Sequence, residues 1–115
     1  ILAVDIDPVA VQVTQDNIRI NAEHGRIHSA VSDGYKSAVV KRFGACDLVI
    51  ANILARPLVS FAPALARTLT PGGYCVLSGL LVEQETMVFA AHRAQGLVRA
   101  ARFTHEGWCT LVLAR

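Results

Sequence analysis

Short apolar runs that end in a polar residue and then give way to a helix-like stretch recur along this chain. Ile1-Leu2-Ala3-Val4 runs into Asp5-Ile6-Asp7-Pro8, and Cys46-Asp47-Leu48-Val49-Ile50-Ala51 runs into Asn52. Aliphatic runs with little polar alternation suit strands buried on both faces, which is the habit of parallel sheets. That alternation of strand and helix restricts the chain to an α/β layered fold.

The remaining elements follow from local signals. Asp7 before Pro8 reads as an N-cap and first helical residue, since the carboxylate accepts an orphan backbone N–H and proline has none to lose. A helix is expected from Pro8 to about Glu23, closed by Gly25. Arg26 to Ala30 reads as a second strand, and Ser32-Asp33-Gly34 starts a polar stretch leading to Gly44. After the strand at Cys46 to Ala51, Leu54, Leu58, Phe61, Leu65 and Leu69 form a helical stripe that Pro71-Gly72-Gly73 should stop. Tyr74 to Ser78 is a fourth strand and Val82 to Gln95 a weaker helix. Two last strands, Val98 to Thr104 and Trp108 to Leu113, are joined by His105-Glu106-Gly107, short enough for an antiparallel hairpin. The sum is a Rossmann-like sheet covered on both faces, with a terminal hairpin.

Composition narrows the function. With 115 residues and 53% apolar content, one domain with a proper core is the ceiling. No apolar run approaches the roughly 18 residues that span a bilayer, so no membrane partner is expected. A net charge of +2 gives no reason to expect direct nucleic-acid binding. Three widely spaced cysteines suit free thiols in a reducing compartment. The four histidines, His24, His28, His92 and His105, fall at no metal-ligand spacing. Because the sequence opens on Ile1 inside a strand, its natural start is expected upstream.

In open parallel sheets, ligands lie beyond the carboxyl ends of the strands. Asp5, Asp33 and Asn52 stand at three such ends. Asp5 could accept both hydroxyls of a ribose through its two oxygens, or serve as a further helix cap beside Asp7. Ile6 could cover one face of an adenine or simply contribute to packing. Asn52 offers an acceptor oxygen and two donors at the sheet mouth; it could hold an acceptor amine for methyl transfer, or cap the helix that starts near Leu54. Such transfer depends on aligning a nitrogen lone pair more than on a strong base. Trp108 is expected to pack the last hairpin against the sheet, with walling of the substrate pocket as the alternative.

Taken in order, Val4-Asp5-Ile6-Asp7-Pro8, Asp16-Asn17 and Asn21, Ala51-Asn52-Ile53-Leu54-Ala55 with Pro57-Leu58, Pro71-Gly72-Gly73, Leu77-Ser78-Gly79-Leu80-Leu81 with Gln84, and Glu106-Gly107-Trp108 resemble the PrmA family. The resemblance covers nearly the whole chain. It implies a cytoplasmic, metal-free, S-adenosyl-L-methionine-dependent enzyme that methylates the α-amine and lysine ε-amines of a ribosomal large-subunit protein. It implies that Asp5 binds the cofactor ribose, that Asp33 receives the adenine amino group, and that Asn52 lines the methyl-transfer site as its catalytic residue and also contacts the cofactor, with Ile6 counted among the cofactor-binding residues by its position. Asn52 stands where related amino-methyltransferases have an N-P-P-Y type motif, whose two prolines are absent here.

The resemblance also implies what residues 1–115 lack. The class I methyltransferase sheet has a first, central strand between those ending at Asp5 and Asn52, followed by a G-x-G loop. The only adjacent glycines, Gly72-Gly73, follow a helix. The expectation is a partial catalytic domain, divided where that strand belongs, with little activity alone. A class I methyltransferase acting on a glutamine amide or small molecule, or a non-catalytic remnant, fits the same residues; a nicotinamide dehydrogenase fits them less well, because of the Asn52 segment.

Overall fold

The computed structural model describes all 115 residues, and they form two compact units, Ile1–Gly44 and Ala45–Arg115. Each is built from the strand–helix alternation expected above.

In the first unit, β1 (Leu2–Asp5) pairs in parallel with β2 (His28–Val31), and α1 (Pro8–Ile20) connects them. Asp7 caps α1, its Oδ1 accepting the Val9 N–H at 2.8 Å, with Pro8 at the first position. Val11 and Ile18, two turns apart, are its buried residues. The helix ends at Ile20, three residues before the expected Glu23. Asn21 caps it, and the left-handed turn falls on Ala22 (φ 55°) rather than on Gly25. A short helix, α2 (Ala38–Phe43), occupies the stretch read as irregular. Ser37 caps it and Gly44 (φ 83°) ends it.

In the second unit, four strands lie in the order β3 (Cys46–Asn52), β4 (Leu69–Leu81), β6 (Trp108–Ala114), β5 (Val98–His105). The β3–β4 pair is parallel, and the other two pairings are antiparallel. Helix α3 (Ala55–Thr68) links β3 to β4, and a 3-10 turn (Val82–Gln84) followed by α4 (Glu85–Arg93) links β4 to β5. The apolar stripe of α3 is real, with Leu58, Leu65 and Ala62 buried. Its stop is Thr68, because Leu69 already pairs with Cys46. Pro71-Gly72-Gly73 therefore lies within β4. Gly73 serves close approach: a Cβ there would fall 2.9 Å from the Thr70 carbonyl oxygen and 3.1 Å from that of Asp47.

The core of this unit lies on one face of its sheet. Cys75, Leu77, Leu80, Cys109, Leu111 and Leu113 are all buried there with Leu58, Leu65 and Val88 of the helices. The opposite face differs from the expected two-sided cover. By strand alternation it carries Leu48, Ile50, Tyr74, Phe103 and Trp108, all exposed. The strands form two separate sheets, β1 pairing only with β2 in the first unit and β3 only with β4 in the second. No helix is long and apolar enough to cross a membrane.

Candidate active site

At the carboxyl end of β1, Asp5 is exposed, and its Oδ1 accepts the Asp7 N–H at 2.9 Å. Capping of α1 belongs to Asp7, so one oxygen of Asp5 shapes the turn, while Oδ2 makes no hydrogen bond within the chain. The neighbouring strand end is held beside it, as the Ser32 N–H donates to the Asp5 carbonyl at 2.8 Å. Ser32 is buried, and its hydroxyl donates to the Gly34 carbonyl at 2.6 Å, which turns the chain sharply after β2. Asp33 projects from this turn and pairs with Lys36 at 2.6 Å on the surface. Ile6 is 68% exposed and is no part of the core. Residues 1–44 thus bring Asp5, Ile6 and Asp33 to one end of the β1–β2 pair.

Asn52 is the last residue of β3, opposite Ser78 of β4, and is exposed. The capping alternative fails here. Leu54 is the N-cap residue of α3, which has no side-chain cap hydrogen bond. The Asn52 amide is therefore not spent on the helix. Its position is set by a residue that the sequence offered only as part of a string: Gly79. This glycine has φ 77°, and a Cβ on it would meet Asn52 Oδ1 and the Ile53 carbonyl oxygen, each at 2.9 Å. It sits where β4 bulges against β6, between Leu77 and Leu80. A glycine inside a strand pattern was the available signal.

Behind this end, Gln84 accepts the Leu81 N–H through Oε1 at 2.9 Å, so its role is to hold the turn after β4. Glu85 is clamped by Arg102 (2.7 Å) and Arg99 (3.0 Å), tying β5 to α4, while the Arg99 guanidinium lies 5.0 Å from the Phe89 ring centre. The Arg102 hydrogen bond holds the Glu85 carboxyl below its ordinary pKa. All three cysteines are free thiols, and burial pushes that of Cys75 up to about 11, which leaves it unreactive. Trp108 departs from expectation: it is 56% exposed and does not pack the hairpin onto the sheet.

The family model for ribosomal protein L11 methyltransferase (PrmA) matches residues 1–115 in full. The chain belongs to the PrmA family. Among curated members, the ribosomal protein L11 methyltransferases of Rhizobium meliloti and Chelativorans sp. are 44% and 42% identical over 115 residues. Each match covers 100% of this chain and 40% of the relative, so the chain spans about two fifths of the length of these PrmA proteins. A solved ribosomal protein L11 methylase from Lactobacillus delbrueckii subsp. bulgaricus superposes with TM-score 0.82 and 25% identity, over 99% of this chain and 57% of that one. An RNA methyltransferase from Salinibacter ruber, solved with S-adenosyl-L-homocysteine, shares the fold (TM-score 0.70, 14% identity, 98% and 63% covered). The Rossmann-like class I methyltransferase architecture read from the sequence is thereby established.

Proposed function

We propose that these residues supply part of the catalytic domain of an S-adenosyl-L-methionine-dependent protein N-methyltransferase. Its substrate is ribosomal protein L11, modified on the α-amine and on lysine ε-amines, in the cytoplasm. The observation that carries the reading is the uncommitted amide of Asn52, presented at a strand end beside a glycine that leaves room for nothing else. The names of the PrmA relatives support L11 as the substrate.

The chain's own donors and acceptors suit the cofactor. Asp5 keeps a carboxylate oxygen free for a ribose hydroxyl, Ile6 offers an exposed apolar surface for a purine, and Asp33 offers an acceptor for its amino group. When bound, S-adenosyl-L-methionine supplies an electrophilic methyl on a sulfonium. Asn52 acts on the other reactant. Its carbonyl accepts an N–H of the incoming amine and so aims the nitrogen lone pair. An amide suits this better than a carboxylate, which would hold a protonated amine in its unreactive ammonium form. Lysine has a pKa near 10.4 in water, so exclusion of water around the amine is what releases its proton.

Asn52→Ala in the full-length protein should lower kcat by about 100-fold, the scale of a misplaced reactant, while cofactor affinity changes little. Stopped assays of methyl transfer and calorimetric titration with cofactor separate the two. Unchanged turnover would remove the role assigned to Asn52. Residues 1–115 on their own should not turn over, since the G-x-G loop that completes the cofactor site in class I methyltransferases is absent from them.

A further inference from the structure

The end of the β1–β2 pair opposite Asp5 holds a cleft that methyl transfer does not use. Register places Leu2 beside His28 at that end and Asp5 beside Val31 at the other, three residues or roughly 10 Å away. The cleft has a volume of about 420 Å³. Gln15, Ile18 and Arg19 form one wall, since spacings of three and four put them on one face of α1. The turn after α1 adds His24, and Ile27 with the first residues of β2, His28 and Ser29, forms the other side. Backbone bonds set that turn: the Glu23 N–H donates to the Ile18 carbonyl at 2.9 Å, and the Arg26 and Ile27 N–H groups donate to the Glu23 carbonyl at 2.9 and 3.0 Å.

Ile18 is buried and Ile27 half-buried, so the apolar residues are the deeper part of the lining, while Gln15, Arg19, His24 and His28 are exposed around them. No carboxylate lines the cleft. The nearby acids are already matched: Asp16 pairs with Arg19 Nη1 at 3.1 Å, and Glu23 faces Arg26 at 3.9 Å. The remaining guanidinium N–H groups of Arg19 are unspent, and the side chains of Gln15, His24, His28 and Ser29 make no hydrogen bond within the chain. Each imidazole offers an N–H in either protonation state, and the hydroxyl and the amide offer further donors. Donors gathered around a fixed cation, with no acid among them, select an anion.

We propose that this cleft binds a nucleoside monophosphate. A phosphate monoester presents three acceptor oxygens and a charge of about −1.5 to −2, which uses a guanidinium, two imidazoles and a hydroxyl more fully than the two oxygens of a carboxylate do. An inorganic anion alone leaves most of the cleft empty, because volumes of roughly 300–1,000 Å³ suit drug-sized ligands. The base lies against Ile18 and Ile27, and the phosphate is held by Arg19, His24 and His28. A free nucleotide and the 5′-phosphorylated end of an RNA share this chemistry. The site is separate from Asp5, Ile6 and Asp33 and does not depend on the methyltransferase reading.

The test is calorimetric titration of the full-length protein with cytidine 5′-monophosphate, whose base differs from adenine, in saturating S-adenosyl-L-homocysteine. Saturable binding is expected, with cytidine and inorganic phosphate each weaker by about tenfold or more. Arg19→Gln should weaken binding of the nucleotide about tenfold, and His24→Asn combined with His28→Asn about as much. These three residues are exposed, so the fold should be kept, and unchanged urea midpoints check it. Asp5→Ala should leave this affinity as it is. A 5′-phosphorylated oligocytidylate that binds more tightly than the mononucleotide assigns the site to an RNA end; equal or weaker binding assigns it to the free nucleotide. No saturable binding, inorganic phosphate as good as the nucleotide, or binding lost in Asp5→Ala but kept in Arg19→Gln overturns the proposal. Failure of S-adenosyl-L-homocysteine to bind would count against the cofactor reading alone, since the Arg19 and histidine variants still locate the nucleotide.

Discussion

Gly79 and Gly72 offer a matched pair for measuring how tightly the Asn52 corner is built. Both have nearly the same left-handed backbone, φ 77° and φ 80°, so alanine at either position carries the left-handed penalty of about 1–2 kcal/mol. Their surroundings differ. Around Gly72 nothing lies within 4 Å of the new methyl group, whereas at Gly79 it falls 2.9 Å from Asn52 Oδ1 and 2.9 Å from the Ile53 carbonyl, with the Ile53 nitrogen at 3.3 Å. Two of those three atoms are backbone, so the strand end itself must move. Overpacking of this kind adds about 1–3 kcal/mol. The expected totals are about 1.5 kcal/mol for Gly72→Ala and about 3 kcal/mol for Gly79→Ala. With an m-value near 1.5 kcal/mol/M in urea, the unfolding midpoints fall by about 1 M and about 2 M. Activity should separate them further, since only Gly79→Ala displaces Asn52. Equal losses of stability for the two variants, or normal turnover by Gly79→Ala, would show that the corner yields freely and that Asn52 is not held by it.

Other outcomes follow from single groups. His92 is fully buried, its Nδ1 hydrogen donates to the Val88 carbonyl at 2.8 Å, and its Nε2 has no partner, so burial holds its pKa below the ordinary value and the ring neutral. The unfolded chain takes up this proton below pH about 6.5 and the folded one resists, so stability falls as pH drops from about 6.5 toward the lowered folded pKa. His92→Leu should flatten this part of the stability–pH curve, as read by urea midpoints from pH 7 to 5. Glu85, its pKa lowered by Arg102, contributes stability above the unfolded value of about 4.3 that is lost as pH falls through the folded one. Glu85→Gln should lower the Tm at pH 7 and bring it closer to wild type at pH 3. Asp5→Ala should weaken cofactor binding by about 10- to 100-fold, the loss of one hydrogen bond to a charged acceptor, measured by calorimetry; an unchanged Kd would return Asp5 to a purely local role in the turn.

What the residues revealed on their own divides along physical lines. Strands β1 and β3 and helix α3 are readable because continuous aliphatic runs and a stripe at three- and four-residue spacing leave unambiguous patterns, although the runs of β1 and β3 are not buried as such runs lead one to expect. The α2 helix was missed because six residues with no buried side chain carry no periodicity; only the Ser37 cap and Gly44 mark its ends. The end of α1 was misplaced because Ala22, not a glycine, takes the left-handed turn. Pro71-Gly72-Gly73 imitates a helix stop, but pairing of Leu69 with Cys46 captures that segment for β4 first. At the site, Asp5 and Asn52 each had a capping reading as plausible as a functional one. Local sequence could not separate them; in the structure Asp5 accepts the Asp7 N–H beside the start of α1, and the bare N-cap at Leu54 removes the capping alternative for Asn52 alone. Gly79 matters through its cross-strand neighbours Asn52 and Ile53, and register is a tertiary property that no window of sequence contains.

The most direct measurement is transfer of a labelled methyl group from S-adenosyl-L-methionine to purified ribosomal protein L11 by the full-length protein, with the modified residues mapped by mass spectrometry. Label on the α-amine and on lysine ε-amines of L11, reduced about 100-fold by Asn52→Ala, is the predicted result. Absence of label in L11 from the wild-type protein, or label undiminished by Asn52→Ala, would contradict it.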